Sequence, residues 1–516
     1  MKYLTLSILF VASLMGLRGQ QSVVDPIQAY SESITADDMK AHLYFLADDL
    51  LEGRETGERG QHLASIYIRA HFMRLGLLPG NPTDQTYFQK FYLNKSKVNA
   101  ATINMNGEEF EFGKGFVGSA SMPSEMTADL VFAGFGLSKE GYDNLAGVDL
   151  TNKVAIILSG TPEGMEAPEG NLFGQIKSLK ARGEALIAKG AKGVIASIPD
   201  SVYKIMARYS RTRSTSISAK PQAEAPFLMF QDQDIANLLT KGKKSIPELR
   251  EAMVSSATLP KTKLKKKNMV LKADVEFKSK SASNVLAYLE GTDKKDELLI
   301  ITAHYDHVGI GRNKQVYNGA DDDGSGTTAV LELAEAFVEA AKNGEGPRRS
   351  ILFMTVSGEE KGLLGSEFYT DNPLYPLERT VADLNIDMIG RVDRRYEGNE
   401  NEDNYIYLIG SDKLSTDLHE LSEEANDKYT QLTLDYKYND DKDPNRFYYR
   451  SDHYNFAKNN IPIIFYFNGT HEDYHQPGDD PDKIHYQKME NITRLVFATA
   501  WEVANREERI RVDKGE

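Results

Sequence analysis

The chain has 516 residues, and its 61 Lys and Arg against 76 Asp and Glu give a formal net charge of −15 at pH 7. This acidic balance argues against nucleic-acid binding, which needs a basic surface to match the phosphate charge. The chain has no cysteine, which excludes disulfide bonds, thiol nucleophiles and cysteine-ligated metal sites. Any bound metal must therefore be held by His, Asp and Glu side chains. The length predicts two or three domains, at about 150 residues each.

The first twenty residues have the pattern of a secretory signal peptide. Lys2 gives a short positive segment, and the apolar run YLTLSILFVASLMGL (Tyr3–Leu17) follows it. The run is short for a membrane span, so an uncleaved anchor is only the alternative interpretation. We therefore expect residues 1–20 to be a signal peptide. The protein is expected to be exported, periplasmic or secreted, without stable membrane insertion after signal removal.

Two predicted helices and a separate module follow. Periodic apolar residues predict helices near residues 43–51 and 64–75, joined by the polar loop LEGRETGERG. Residues 21–121 are expected to hold these helices and the first part of the main domain. Between residues 122 and 260, the apolar segments VAIILSG, GVIASI and APFLMF predict strands of a smaller inserted domain. The basic run KTKLKKK (Lys261–Lys267) is typical of a solvated linker and marks the end of that domain.

Residues 261–516 are expected to form the main part of the larger domain. Apolar strand segments such as ELLIITAHYDH, SILFMTVSG and IPIIFYFNG alternate with helical segments such as TTAVLELAEAFVEAAKNG. This alternation predicts an α/β fold with a mixed, mostly parallel central sheet flanked by helices.

Acidic and histidine residues follow the predicted strands of this domain. They are His304, Asp306 and His307 in ITAHYDHVG, three aspartates in NGADDDGSG, the pair Glu359–Glu360, Asp387 in LNIDMIG and His475 in HEDYHQPGDD. Each alone has an ordinary structural interpretation, as a packed histidine, a helix N-cap or a solvated surface pair. Active sites of open α/β sheets, however, lie at the carboxyl ends of the strands. Two histidines, three carboxylate ligands and one spare glutamate match what two divalent ions and a general base require.

The ordered motifs AHYDH, NGADDDGSG, SGEEKGLLGS, NIDMIG and DYHQPGDD resemble those of the di-zinc aminopeptidase family, which includes bacterial leucyl aminopeptidases and glutamate carboxypeptidase-like metallopeptidases. The resemblance covers nearly all of the chain after residue 20. It implies a zinc-exopeptidase fold, and it implies that residues 122–260 are an inserted protease-associated domain.

The resemblance also implies a ligand set for two zinc ions per chain. Asp322 is the bridging residue, because it lies three residues before Ser325 in the frame D-x-x-S-G. Relatives hold the peptide bond after this aspartate in the cis form, so a cis bond is expected between Asp322 and Asp323. The other implied ligands are His304 and Asp387 for one ion, and Glu360 and His475 for the other.

Further roles follow from the same resemblance. Asp306 supports His304, Glu359 is the general acid and base, and Tyr474 helps to stabilise the oxyanion. In the sequence SDH, Asp452 and His453 either support the ligands from outside or only pack.

The implied function is that of an exported aminopeptidase, which hydrolyses N-terminal residues from peptides through a zinc-bridged water and a glutamate base. A carboxypeptidase or a glutaminyl cyclase on the same scaffold is the alternative. A non-catalytic receptor-like module is disfavoured, because every implied ligand and Glu359 are present.

Overall fold

The structure, a computed structural model, describes residues 25–105, 107–119, 122–139, 141–163, 165, 172–209, 213–218, 225–239, 245–254 and 268–514. The predicted signal peptide and the basic run Lys261–Lys267 lie outside the described residues. Within these ranges, no helix is both long enough and apolar enough to span a membrane.

Helices flank the sheet at both ends of the chain and also occur in the middle. Their bounds are α1 (Pro26–Ser31), α2 (Ala36–Leu46), α3 (Arg59–Leu75), α4 (Leu172–Ala188), α5 (Asp200–Tyr209), α6 (Asp232–Leu239), α7 (Ile246–Val254), α8 (Gly326–Lys342), α9 (Leu364–Asp371), α10 (Thr416–Ala425), α11 (His453–Ala457) and α12 (Tyr486–Asn505). The helix predicted near residues 64–75 corresponds to α3, whereas the helix predicted near residues 43–51 lies mostly beyond α2, which ends at Leu46.

Strands make up most of the remaining regular structure. Their bounds are β1 (Leu78–Pro79), β2 (Phe88–Met105), β3 (Glu108–Glu111), β4 (Val117–Gly118), β5 (Glu125–Phe132), β6 (Ser138–Lys139), β7 (Tyr142–Asp143), β8 (Lys153–Leu158), β9 (Gly193–Ile198), β10 (Arg213–Ser218), β11 (Phe227–Gln231), β12 (Asn268–Leu289), β13 (Lys294–His304), β14 (Gly309–Ile310), β15 (Val316–Tyr317), β16 (Arg349–Val356), β17 (Thr380–Ile386), β18 (Tyr405–Ile409), β19 (Thr433–Asp435) and β20 (Ile463–Phe467).

One large sheet runs through the molecule in the order β19-β18-β20-β17-β13-β16-β12-β5-β8-β9-β11-β4. In the C-terminal half, β13 is parallel to β16 and β17, β17 is parallel to β20, and β18 is parallel to β19. The pairs β12–β16 and β18–β20 are antiparallel. The predicted mixed, mostly parallel central sheet flanked by helices is therefore confirmed.

Helices cover both faces of this C-terminal half of the sheet. Apolar residues of α2, α3, α8 and α12 pack on one face in a continuous buried core. On the other face, Tyr369 of α9 and Phe456 of α11 pack against strand residues such as Leu352 and Ile300. Because both faces are covered, every residue of β16 and β17 is buried, and most of these residues are apolar.

The middle of the chain builds its own layers around β5, β8, β9 and β11. Leu179 and Leu186 of α4 pack on one face of these strands, and α6 and α7 pack on the other. The second of these cores also takes in residues from Val98 to Phe116 and residues Met269 and Leu271. It therefore begins before residue 122 and ends after residue 260. The long strand β12 continues from this module into the main domain, where it pairs with β16.

Arg54 fastens the N-terminal helices to the strand ends of the main domain. It lies in the turn between α2 and α3 and is 1% exposed. Its guanidinium donates to four backbone carbonyl oxygens, those of Leu46 (2.6 Å), Tyr305 (2.8 Å), Asn318 (2.6 Å) and Gly319 (2.9 Å). One rigid cation thus satisfies carbonyl groups from three separate segments, which a point charge such as lysine cannot do.

We expect Arg54→Met to lower the free energy of unfolding by about 3 kcal/mol or more, because it removes the guanidinium donors from four backbone carbonyl oxygens in a buried site. Arg54→Lys should fall between the wild type and Arg54→Met. Denaturant midpoints followed by circular dichroism measure the effect.

The matched control is Arg59→Met. Arg59 forms an exposed ion pair with Glu52 at 3.1 Å, and such pairs contribute roughly 0–1 kcal/mol. Equal midpoints for the Arg54 and Arg59 variants would show that Arg54 does not fasten the segments.

Candidate metal centre

The five implied ligands lie at one edge of the sheet. His304 is the last residue of β13, and Asp387 directly follows β17. Glu360 lies shortly after the end of β16, and His475 lies in the loop after β20. The strands β20, β17, β13 and β16 are consecutive neighbours in the sheet, so their carboxyl ends bring these side chains together.

His304, Asp322 and Asp387 surround one point. His304 Nε2 lies 3.2 Å from Asp322 Oδ1 and 3.6 Å from Asp387 Oδ1. The second oxygen of Asp387 accepts a hydrogen bond from Ser451 Oγ at 2.7 Å. The three side chains are buried or nearly so.

Glu360 and His475 meet the other oxygen of Asp322. His475 Nε2 lies 3.0 Å from Asp322 Oδ2 and 3.2 Å from Glu360 Oε1. Asp322 thus turns one carboxylate oxygen to each pair, the arrangement expected of a bridging residue. The expected cis peptide bond between Asp322 and Asp323 is confirmed.

The two aspartates next to Asp322 accept hydrogen bonds from backbone N–H groups. Asp323 accepts hydrogen bonds from the backbone N–H groups of His304 (3.0 Å), Gly326 (2.8 Å) and Met388 (3.1 Å). Asp323 is close enough to His304 and Asp387 to share an ion with them. Because its oxygens already accept three N–H groups, Asp322 is the better donor at that point. Asp321 accepts from the backbone N–H of Gly390 at 2.6 Å.

Asp306 contacts His304 mainly through its backbone. His304 Nδ1 lies 3.0 Å from the carbonyl oxygen of Asp306 and 3.9 Å from its carboxylate. That carboxylate accepts from Thr56 Oγ1 at 2.5 Å and from the backbone N–H of Glu359 at 3.3 Å. Asp306 therefore connects His304, the loop of Glu359 and the N-terminal segment.

Glu359 and Tyr474 line the cleft beside these donors. Glu359 Oε2 lies 4.0 Å from His304 Nε2. Burial raises the pKa of Glu359 well above its usual range, and His304 opposes the shift. The Tyr474 hydroxyl accepts a hydrogen bond from Arg450 Nη2 at 3.1 Å, and its ring stacks on His475.

The other wall of the cleft is apolar. Met388, Phe447, Phe465 and Phe467 line it together with Tyr474 and His475. Arg450 lies at the same cleft.

In the SDH segment, Ser451 contacts an implied ligand, Asp387. Asp452 and His453, the two residues singled out from the sequence, have other contacts. Asp452 is fully buried, accepts from Ser366 Oγ at 2.5 Å, and has its pKa raised to about 7 by burial. His453 stacks on Phe465, and its Nε2 meets the carbonyl oxygen of Tyr448 at 2.8 Å. Burial lowers the pKa of His453 to about 3, so the ring is neutral and packs.

Three residues that contact the site were not predicted from the sequence: Thr56, Arg54 and Ser451. Thr56 and Arg54 lie in the loop LEGRETGERG, whose arginine and threonine among glycines were the available signal. His307 was visible in the motif AHYDH but received no role, although it is buried beside Glu360.

The donor set fits a divalent cation. Asp322 Oδ2 and Glu360 Oε1 are buried and make no hydrogen bond. In the described part of the chain, the ion pairs of Asp322, Glu360 and Asp387 are all with histidines, not with Lys or Arg. Converging imidazole nitrogens and carboxylate oxygens at this spacing suit zinc and related metals.

Comparison with known proteins points to one family. Residues 284–500 match the sequence model of Peptidase family M28. The chain is 26% identical over 263 residues to Aminopeptidase YwaD of Bacillus subtilis (strain 168), which covers 49% of this chain and 51% of that protein. It is 30% identical over 236 residues to a "Probable leucine aminopeptidase" of Arthroderma otae, covering 45% of this chain and 60% of that protein.

The chain thus spans about half to three fifths of the length of these two curated relatives. Among solved structures, an aminopeptidase from Aneurinibacillus sp. strain AM-1 aligns with a TM-score of 0.46 and 19% identity, over 95% of this chain and 98% of that one. Residues 284–500 thus match peptidase family M28, and the resemblance to zinc-dependent aminopeptidases predicted from the motifs is confirmed.

Proposed function

We propose that the chain is an exported zinc-dependent exopeptidase, an aminopeptidase that removes N-terminal residues from peptides. The observation that carries this proposal is the meeting of five metal-donor side chains with Glu359 at one cleft. The leucine aminopeptidase name of one relative points the same way. Export rests on the N-terminal signal pattern.

The residues would hold two zinc ions per chain. His304 and Asp387 would hold one, Glu360 and His475 the other, and Asp322 both. Bound zinc would polarise the scissile carbonyl and lower the pKa of a water molecule at the centre.

Glu359 is the proposed proton carrier. Its carboxylate takes a proton from the attacking water and later delivers it to the leaving amine. The backbone N–H of Glu359 donates to Asp306, which holds the glutamate beside His304. Tyr474 accepts a hydrogen bond from Arg450, so its own O–H is free to donate to the developing oxyanion.

The cleft supports a preference for apolar N-terminal side chains. Met388, Phe447, Phe465 and Phe467 offer apolar side chains to the cleft. Burial of an apolar side chain against them contributes about 1.5–3 kcal/mol.

We propose that residues 122–260 belong to a protease-associated module that limits substrate size. Strand β10 of this module pairs with β2. Its Ile217 packs against a cluster that contains Phe91 of β2 and Phe368 of α9. Helix α9 closely follows Glu359 and Glu360 in the chain, so the module contacts the helix that follows the two glutamates.

We expect aminoacyl-amide substrates to be cleaved, those with leucine or phenylalanine fastest, while N-blocked versions are not. Release of the chromogenic amine measures both sets. Cleavage of N-blocked peptides that carry a free C-terminus would indicate a carboxypeptidase instead. Cyclisation of N-terminal glutamine without peptide-bond hydrolysis would indicate a glutaminyl cyclase.

Glu359→Gln and Glu360→Gln form a matched pair that separates acid–base catalysis from metal binding. Glu359→Gln should retain both zinc ions and lose roughly 10²–10⁴-fold in kcat, because a general base is removed and the donors are unchanged. Glu360→Gln should bind one ion more weakly and recover part of its activity in excess zinc. Metal content and kcat are measured on the same preparations. Near wild-type kcat in Glu359→Gln, or loss of an ion from it, would reverse the assignment of the two glutamates.

A further inference from the structure

His307 is a buried imidazole whose nitrogens have no hydrogen bond. It lies three residues after His304 and is 0% exposed. Nδ1 and Nε2 both lack a hydrogen-bond partner. Yet Nδ1 lies 2.9 Å from Glu360 Oε1 and 3.8 Å from Asp322 Oδ2. A buried polar group without a partner is destabilising, and a cation bound at Nδ1 would supply that partner.

Close packing fixes the ring in this orientation. A Cβ atom at Gly319 would lie 2.5 Å from Cγ of His307 and 2.6 Å from Cδ2, so only glycine fits behind the ring. Gly319 has a φ of +56°. The backbone N–H of His307 donates to the carbonyl oxygen of Arg54 at 3.2 Å. With the Cδ2 edge against Gly319, the Nδ1 edge faces the carboxylates.

The position of His307 Nδ1 repeats that of the two histidines already assigned as ligands. His304 Nε2 lies near oxygens of Asp322 and Asp387, and His475 Nε2 lies near oxygens of Asp322 and Glu360. His307 Nδ1 lies near the same two carboxylates as His475. Its group with Asp322 and Glu360 has all three donor atoms within 4.8 Å of one another.

We infer that His307 is a further nitrogen ligand of the ion held by Glu360 and His475, an inference that rests on the two-metal centre proposed above. That ion would then have four protein donors, and the ion at His304 and Asp387 would have three. Four protein donors close a zinc site, whereas three keep a position open. Glu359 lies 4.0 Å from His304, beside the ion that would keep a position open.

The competing role for His307 is an N–H donor to Glu360. In that role His307 would orient the glutamate without touching the metal. Loss of an outer partner costs about 10–100-fold in metal affinity, so affinity alone does not separate the two roles. The spectrum of bound Co²⁺ separates them, because it responds to the number of nitrogen ligands.

The test uses the full chain, stripped of metal, as wild type, His307→Ala and His71→Ala. His71 is also a buried histidine with an unpartnered Nε2, but it lies in α3, away from the ligands. Zn²⁺ affinity is measured by competition with a chromogenic chelator, and Co²⁺ binding by visible absorption. We expect His307→Ala to bind one ion as the wild type does and the other at least tenfold more weakly. The Co²⁺ spectrum of the weaker site should change, and added imidazole should restore it. His71→Ala should match the wild type.

The outcomes are distinct. If the wild type and His307→Ala both bind two ions with the same affinities and spectra, His307 is not a ligand and the two-metal centre stands. If affinity falls while the Co²⁺ spectrum is unchanged, His307 is only the outer donor, and the inference is wrong. If the wild type binds fewer than two ions at saturation, the two-metal centre fails, and the fourth donor fails with it.

Discussion

Buried negative charge at one edge of the sheet is the constraint on which the rest of the structure depends. The aspartates 306, 321, 322, 323 and 387 are each less than a tenth exposed. A buried carboxylate is costly unless it is hydrogen-bonded or paired with a cation. The carboxylates here meet that requirement in two ways. Some accept backbone N–H groups, whereas Asp322 and Asp387 face imidazole nitrogens, with Ser451 bound to one oxygen of Asp387. The second group defines the candidate metal centre.

The same constraint explains how the loop between β13 and α8 is held. Asp323 accepts three backbone N–H groups, and Asp479 accepts those of Asp321 and Asp322. From the other side, Arg54 donates to carbonyl oxygens of the loop and of the residue after His304. The Asp479 carboxylate therefore binds N–H groups of this loop, and the Arg54 guanidinium binds its carbonyl oxygens. Asp322 gains a defined position without using its own carboxylate oxygens.

Most of the sheet could be predicted from sequence, and so could the convergence of the five implied ligand side chains. Apolar runs followed by an acidic or histidine residue mark strands that end at the active edge, and the family motifs give the order of the ligands. Contacts between distant segments could not be predicted in this way. Arg54 binds backbone carbonyl groups, which every residue type has, so the sequence does not indicate its partners. Ser451 precedes Asp452 and His453 in the sequence. Only the folded structure shows that it is the Ser451 hydroxyl that reaches Asp387. The role of His307 was ambiguous because residues three positions apart on a strand, such as His304 and His307, face opposite sides of the sheet. The chain leaves the strand after His304, so that alternation no longer applies.

The module and the main domain are joined by hydrogen-bonded strands. Strand β12 pairs with β2 from Met269 to Val285, and its last residues pair with β16, the strand that leads to Glu359 and Glu360. The pairing of β12 with β2 is continuous apart from one register shift between Asp274 and Val275. The middle of the chain is therefore tied to the strand that leads to Glu359 by ladder hydrogen bonds and not by a loop alone. Any limit that the module sets on substrate size would act through this connection, whereas selectivity for the N-terminal side chain would depend on the residues that line the cleft.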